Sequence, residues 1–325
     1  MDPKIASIVE ENGILRFQLQ NTNVSFANAI RRTLLSDIPT LVMRDSPYEQ
    51  TTIKINKNTT RLNNEILRHR LCCVPIHHDV DFPIDKYSFV INVENNGNNV
   101  ITVTTGDIKV IDTDTGKEAP PSISKQLFPP DPMTNDYIPI VRVNPRVSDQ
   151  LPGEVLDIVA KATVSTASEN ACFNVVSCAS YAMTPDKEKQ QQALNVHLKN
   201  LKAEYTKQNM GKDEIIKALE YAKNGWLALD GKRIVKKNSF DFEIETVGVY
   251  QNEELVRRAC DVLIDSLDEL EITLSQTNAI VDLFETKVGD YVMVKLENYD
   301  YTIAKVLEAV LYNRNWESKE KADGL

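Results

Sequence analysis

From Val256 onward the mostly apolar positions Val256, Cys260, Leu263, Leu267, Leu270, Leu274, Thr277, Val281 and Phe284 stand four, three, four, three, four, three, four and three residues apart. That is the spacing of an a/d seam, in which one face of a long helix meets apolar surface along its length. Asn252 is the candidate cap, and Glu253 and Glu254 suit the positive end of the helix dipole. The pattern therefore predicts a helix over 252–285, roughly 50 Å long at about 1.5 Å per residue. No single small core covers such a length, so the seam is expected to lie along another long helix or a partner subunit.

Shorter elements precede it. Leu15, Phe17 and Leu19 alternate with polar residues over 14–20 and predict a half-buried strand, which Asn21-Thr22-Asn23 breaks. Val24, Ala27, Ile30 or Arg31, and Leu34 then recur at helical spacing, with Asn23 or Ser25 as N-cap and Pro39 closing the segment. A second helix is predicted from 63 to about 73, where Leu67 and Leu71 share a face and Pro75 stops the run. Strands are predicted over 87–93, 100–104, 108–112, 155–164 and 173–183. The proline-rich 119–139 stretch reads as an irregular connection, and the Lys- and Gln-rich 187–224 stretch as a solvated helical face. Ser239 to Glu245 alternates strictly, another half-buried strand ending near Gly248.

The tail repeats the opening unit. A strand over 291–297, the turn Asn298-Tyr299-Asp300 and a helix from about 302 to 312 align with the opening at an offset of 277 (296 − 19). The offset sets Val292 on Leu15, Val294 on Phe17, Asn298 on Asn21, Ala304 on Ala27, Leu307 on Ile30 and Leu311 on Leu34. Two copies of one unit suggest a pseudo-twofold pair, the fused equivalent of a dimer. They differ in charge: Arg31-Arg32 in the first stands where the second has Glu308-Ala309.

Composition narrows the chemistry. With 37 Lys and Arg against 47 Asp and Glu, the 325-residue chain has a net charge of −10, which argues against a protein that mainly grips nucleic-acid phosphates. The five cysteines, odd in number and without paired spacing, read as reduced thiols. No apolar run is long enough to cross a bilayer and the first residues lack a signal-peptide layout, so an intracellular protein is expected. His77-His78 near Cys72-Cys73 lacks metal-ligand spacing, and Asp112-Thr113-Asp114-Thr115-Gly116 reads as a hairpin turn rather than a cation loop. Gly225 and Gly231-Lys232 fail the spacing of a phosphate loop, and no nucleophile or zinc-protease motif is present. No metal, cofactor or catalytic residue is predicted.

Phe26-Ala27-Asn28-Ala29-Ile30-Arg31-Arg32-Thr33-Leu34-Leu35, Asp37-Ile38-Pro39-Thr40, and Asn64-Glu65-Ile66-Leu67-Arg68-His69-Arg70-Leu71 leading to Val74-Pro75-Ile76 carry a resemblance. They resemble the alpha-like, D-type subunit of archaeal and eukaryotic multisubunit DNA-directed RNA polymerases, a likeness extended by the 239–245 strand with Val247-Gly248. Asp300-Tyr301-Thr302-Ile303 resembles the start of the smaller, L-type alpha-like partner, an arrangement similar to fusions in some large DNA viruses. The likeness to the small partner stops at Leu325, soon after its first helix, and the cysteine cluster that relatives often carry in the insert domain is missing.

The resemblance implies an α+β fold: a discontinuous alpha-type dimerisation domain (1–45 with 236–285), a mostly β insert domain (46–235) and a partial small-partner-like unit (286–325). It implies a non-catalytic assembly platform for transcription whose partners are the large catalytic subunits and the small alpha-like partner, in cis or in trans. Nucleic acid would be met only indirectly and membrane not at all, in nucleus, cytoplasm, viral transcription site or virion. Asn28, Arg31, Arg32, Glu65, His69 and Arg70 would face a large subunit, since guanidinium forks hold carboxylates bidentately. Without the resemblance, Arg31 and Arg32 read first as a solvated helix face. Phe26, Ile30 and Leu34, the seam Val256, Cys260, Leu263, Leu267, Leu270, Leu274 and Val281, and Ile303, Leu307 and Leu311 would serve dimerisation. Two other expectations stand beside it: a carboxylate-dependent hydrolase in the insert domain, and a stand-alone dimerising regulator that binds DNA.

Overall fold

The computed structural model describes residues 2–146, 148, 152–208, 210–276, 281–286, 289–294 and 299–317. In chain order the elements are β1 (Lys4–Glu11), β2 (Ile14–Gln20), α1 (Val24–Ser36), β3 (Thr40–Val42), β4 (Ile53–Asn58), α2 (Asn64–Cys72) and β5 (Tyr87–Glu94). Then come β6 (Ile101–Thr104), β7 (Lys109–Asp112), α3 (Pro121–Leu127), β8 (Pro139–Val143), β9 (Val155–Ala160), β10 (Thr163–Ser165) and β11 (Val176–Pro185). The rest are α4 (Lys187–Lys207), α5 (Lys212–Ala228), β12 (Val235–Thr246), α6 (Asn252–Gln276), β13 (Val281–Thr286), β14 (Gly289–Val294) and α7 (Tyr301–Tyr312). Helices and sheets are mixed along the chain, the expected α+β composition. The residues divide into two compact units, Met1–Arg31 with Ala179–Ile244 and Tyr299–Leu325, and Arg32–Cys178 with Glu245–Asn298.

A four-stranded sheet in the order β1-β2-β12-β11 builds the first unit. Its alternation is the one the sequence predicts: Leu15, Phe17, Leu19, Phe240, Phe242 and Ile244 are buried. The Phe17 and Phe242 rings stack at 5.0 Å, and Tyr181 of β11 meets Phe240 edge-on and Phe242 at a tilt. β1 is absent from the sequence expectation. Its residues are almost all exposed, Ser7 has a φ of 53°, and the pairing with β2 shifts register between Ala6 and Val9, so no clean alternation marks it.

The second unit carries a four-stranded sheet, β4-β9-β5-β7, and the two-stranded pairs β3-β10 and β6-β8. Leu67 and Leu71 of α2, Phe89 and Ile91 of β5, Val110 of β7, Leu156 and Ile158 of β9 and Val141 and Val143 of β8 share its core. The predicted 155–164 strand is two strands, because β9 pairs with β4 and β5 whereas β10 pairs with β3. The proline stretch contains α3, with Pro121 in its first turn where a missing N–H costs nothing. The 187–224 stretch is two helices, α4 and α5. Asp112 to Gly116 is a tight turn, in which the Asp112 carboxylate accepts from the N–H groups of Asp114 and Thr115 and Gly116 takes a φ of 65°.

The expected helix over 252–285 is corrected. α6 begins on Asn252 and ends at Gln276, about 38 Å by its rise. Thr277 lies outside the described residues; Val281, assigned to the helical seam, lies in β13, which pairs antiparallel with β14 from Val281↔Val294 to Thr286↔Gly289. The apolar pattern there fits both periods. Thr277 and Asn278 are weak helix formers, and the six-residue register of the hairpin fixes the extended conformation.

A hairpin followed by a helix occurs twice in the chain: β1 and β13 start 277 residues apart (281 − 4), as do α1 and α7 (301 − 24), while β2 and β14 start 275 apart (289 − 14). The helix starts are built alike: Asn23 Oδ1 accepts from Ser25 N at 2.9 Å, and Asp300 Oδ1 from Thr302 N at 2.8 Å.

Candidate functional site

α1 and α2 carry the residues predicted to meet a partner. Asn28 and Arg31, one turn apart on α1, are joined by bonds from Arg31 Nε and Nη2 to Asn28 Oδ1 at 3.2 and 3.1 Å. The fork is thereby oriented on its own helix, half-buried, with donors left over. Asn28 and Arg31 fall in the first unit, and Arg32, Glu65, His69 and Arg70 in the second. Asn63 caps α2 by accepting from Ile66 N at 2.8 Å; the buried Leu67 and Leu71 then fix which side of the helix faces outward. Glu65, His69 and Arg70 are exposed there; His69 Nε2 lies 3.2 Å from Asp45 Oδ2, and Arg70 Nη2 donates to the Pro139 carbonyl at 2.9 Å.

The predicted seam on α6 is displaced from the line that packs. Leu255, Ala259 and Leu270 are buried on the chain itself, whereas Val256, Cys260, Leu263 and Leu267 are only half-buried and Leu274 is 48% exposed. Among the described residues of the predicted seam from Val256 to Leu274, only Leu270 reaches the interior. The apolar arc of α6 is wider than one seam: one edge meets the core and the other stays open. Ile264 and Ile272 are exposed as well. On α1, Leu34 is buried while Phe26 and Ile30 are half-buried; on α7, Ile303 is buried, Leu307 half-buried and Leu311 exposed.

What fixes α6 in the second unit is a hub that sequence inspection missed. Arg258 donates through Nη1 and Nη2 to both oxygens of Asp79, at 3.1 and 2.5 Å, and through Nε and Nη2 to Glu254 Oε1, at 2.8 and 2.7 Å. Its guanidinium lies 4.1 Å from the centre of the buried Tyr250 ring, and Tyr250 Oη donates to the Pro39 carbonyl at 3.3 Å. The Arg258 hydrogen bonds hold the Asp79 carboxyl below its usual range, and Asp79 in turn raises Arg258. Burial pushes the Tyr250 phenol up. Glu254 and Arg258 are four residues apart on a helix, a legible pair; Asp79 lies 179 residues from its partner and carries no sequence signal.

The cysteines and histidines do not converge. Cys72 Sγ donates to the His69 carbonyl at 3.1 Å and packs beside Cys172; its hydrogen bond with Cys172, then burial, pushes the Cys72 thiol far up, and the same bond lowers Cys172. His77 faces Gly248 instead, and burial lowers its pKa. Among the described residues no three His, Cys, Asp or Glu side chains gather as metal ligands would. Among the same residues, no helix is long and apolar enough to cross a membrane.

Comparison with known proteins bears on these faces. The chain is 26% identical over 292 residues to DNA-directed RNA polymerase subunit Rpo3 of Thermoplasma volcanium, covering 85% of this chain and all of that protein. It is 32% identical over 106 residues to the Rpo3 subunit of Pyrococcus furiosus, a match spanning 31% of this chain and 37% of that one. A conjugation stage-specific protein of Tetrahymena thermophila is 24% identical over 295 residues, 78% of this chain and 88% of its own length. A family model, described as the RNA polymerase Rpb3/Rpb11 dimerisation domain, matches residues 16–267 and so takes in most of β2, all of α1, α2 and β12, and the first part of α6. The chain therefore belongs to the RNA polymerase Rpb3/Rpb11 dimerisation domain family.

Proposed function

We propose that this chain is a non-catalytic assembly subunit of a DNA-directed RNA polymerase, a platform on which the large catalytic subunits gather. The observation that carries this reading is the family match over 16–267, supported by relatives named as polymerase subunits along most of the chain. The surfaces suit it. A platform needs exposed apolar stripes and oriented charges rather than a reaction centre, and the open edge of α6 and the Arg31 fork supply them. In this reading Asn28, Arg31, Arg32, Glu65, His69 and Arg70 meet a large subunit, and Val256, Cys260, Leu263, Leu267 and Leu274 meet an alpha-like partner. The chain contributes no residue to nucleotidyl transfer, and it works inside the cell.

The same reading extends to the tail. The repeated hairpin and helix, with the same capping bond at the same offset, support a second alpha-like unit joined in cis to the first. The dimerisation domain is then formed by 1–45 with 236 to the end of α6, the insert domain by 46–235, and the partner-like unit starts at β13. Joining the two turns their association into an intramolecular step at high effective concentration.

Replacing Arg31 and Arg32 by Glu tests the platform. Co-purification of the large subunits with the tagged chain is expected to be lost, with the circular dichroism spectrum unchanged; undiminished co-purification removes these arginines from the interface. Template-dependent RNA synthesis by the isolated chain would overturn the reading as a whole.

A further inference from the structure

A groove of about 760 Å³ opens in the second unit between the loop before α2, the end of α2, and the β6-β8 pair. Three arginines line it: Arg61 in the loop, Arg70 in the last turn of α2 and Arg142 on β8, where it pairs in register with Thr102 of β6. The loop is held in shape by Asn58, whose Nδ2 donates to the Leu62 carbonyl at 2.8 Å and to Asn64 Oδ1 at 2.9 Å. Arg70 is oriented by its bond to the Pro139 carbonyl. Leu62 and Val100 contribute apolar surface beside the charges.

The electrostatics run against the rest of the molecule. The chain carries a net charge of −10, yet among the described residues no Asp or Glu lines this groove and none of the three arginines is paired with a carboxylate. The nearby Glu154 is engaged by Asn144, through the backbone N–H at 2.7 Å and Nδ2 at 2.8 Å. Three unopposed guanidinium groups around apolar surface match a ligand that alternates carboxylates with apolar side chains. The size suits a short segment of chain rather than one small anion. Single-stranded nucleic acid fits less well, since among the described residues no Phe, Tyr, Trp or His lines the groove for a base to stack on.

We propose that the Arg61, Arg70 and Arg142 groove is a binding site for an acidic peptide segment bearing apolar side chains. The site does not depend on the polymerase reading, because it belongs to the free chain and Arg61 and Arg142 stand outside the platform set; Arg70 is common to both. The test therefore uses the other two. A fluorescein-labelled peptide alternating Asp or Glu with Leu or Phe is titrated with the full chain and followed by anisotropy. Oligoglutamate of equal charge and single-stranded oligothymidylate serve as comparison probes.

The alternating peptide is expected to bind saturably and more tightly than either comparison. The double variant Arg61→Gln, Arg142→Gln should lower its affinity about tenfold, the joint effect of losing two partly exposed bidentate pairs, with no change in Tm. Arg61→Lys with Arg142→Lys should recover part of the loss, since the charge remains while the fork does not. No peptide binding, equal affinity for the double variant, or tighter binding of oligoglutamate or oligothymidylate would each overturn the proposal. The double variant should still co-purify the large subunits; if it fails to do so while the wild-type chain binds peptide as expected, the boundary of the platform set is wrong and the groove stands.

Discussion

Replacing Arg258 by Ala removes three contacts at once: the paired bonds to Asp79, the bonds to Glu254 one turn back on α6, and the stacking over Tyr250. The Arg258 side chain is 18% exposed and that of Asp79 is 44% exposed, so their pair is worth about 1 to 1.5 kcal/mol rather than the roughly 3 of a fully desolvated one. The Glu254 pair adds about 0.3 to 0.5 kcal/mol and the cation over the ring about 1. A loss of about 2 to 3 kcal/mol is expected. Urea titration followed by far-ultraviolet circular dichroism measures it, and hydrogen exchange across α6 localises it. Arg258 holds the Asp79 carboxyl below its usual range, so the contribution is complete above the unfolded-state value of about 4 and fades as pH falls through the lower folded-state value. The gap between wild type and Arg258→Ala should thus narrow in acid, and Asp79→Asn should reproduce part of it at neutral pH with a coupling of about 1 kcal/mol. A loss under about 0.5 kcal/mol, or a gap that persists unchanged into acid, would refute the assignment of this hub as what anchors α6.

Two further substitutions probe the packing. A Cβ at Gly153 would stand 1.7 Å from the carbonyl oxygen of the buried Asn95, so Gly153→Ala should destabilise by at least about 3 kcal/mol, read as a lower urea midpoint; a change below about 1 would show that the backbone yields there. Phe242→Ala removes the ring between Phe17 and Tyr181 and should cost about 3 to 5 kcal/mol, visible in the near-ultraviolet spectrum of Tyr181 as well as in the unfolding midpoint.

Residues 14–20 and 239–245 disclose their strands because each buries one face, and a period of two survives in the sequence wherever water and core lie on opposite sides. The start of α1 is legible for a related reason: Asn23 caps its own helix through a bond two residues long. β1 is not, since an exposed edge strand with a bulge leaves no alternation to find. The 281–286 segment was ambiguous in kind, as its apolar residues satisfy a helical seam and its true conformation rests on pairing with 289–294. Of the candidate interface, the residue types were readable on α1, α2 and α6, and so was the packed side of α2, where Leu67 and Leu71 are buried, while the side on which α6 packs was not.

The sequence by itself determined the local elements that bury one face, the caps, and the resemblance to an alpha-like polymerase subunit that the family match then established. These are properties of neighbours in the chain, fixed by spacing and propensity. Only the tertiary structure decided which line of α6 meets the core, that Arg258 closes on Asp79, and that Arg61, Arg70 and Arg142 share one groove. The physical reason is common to all three: each depends on groups far apart in sequence whose approach is set by packing, and neither charge nor hydrophobicity along the chain encodes which distant group will stand opposite.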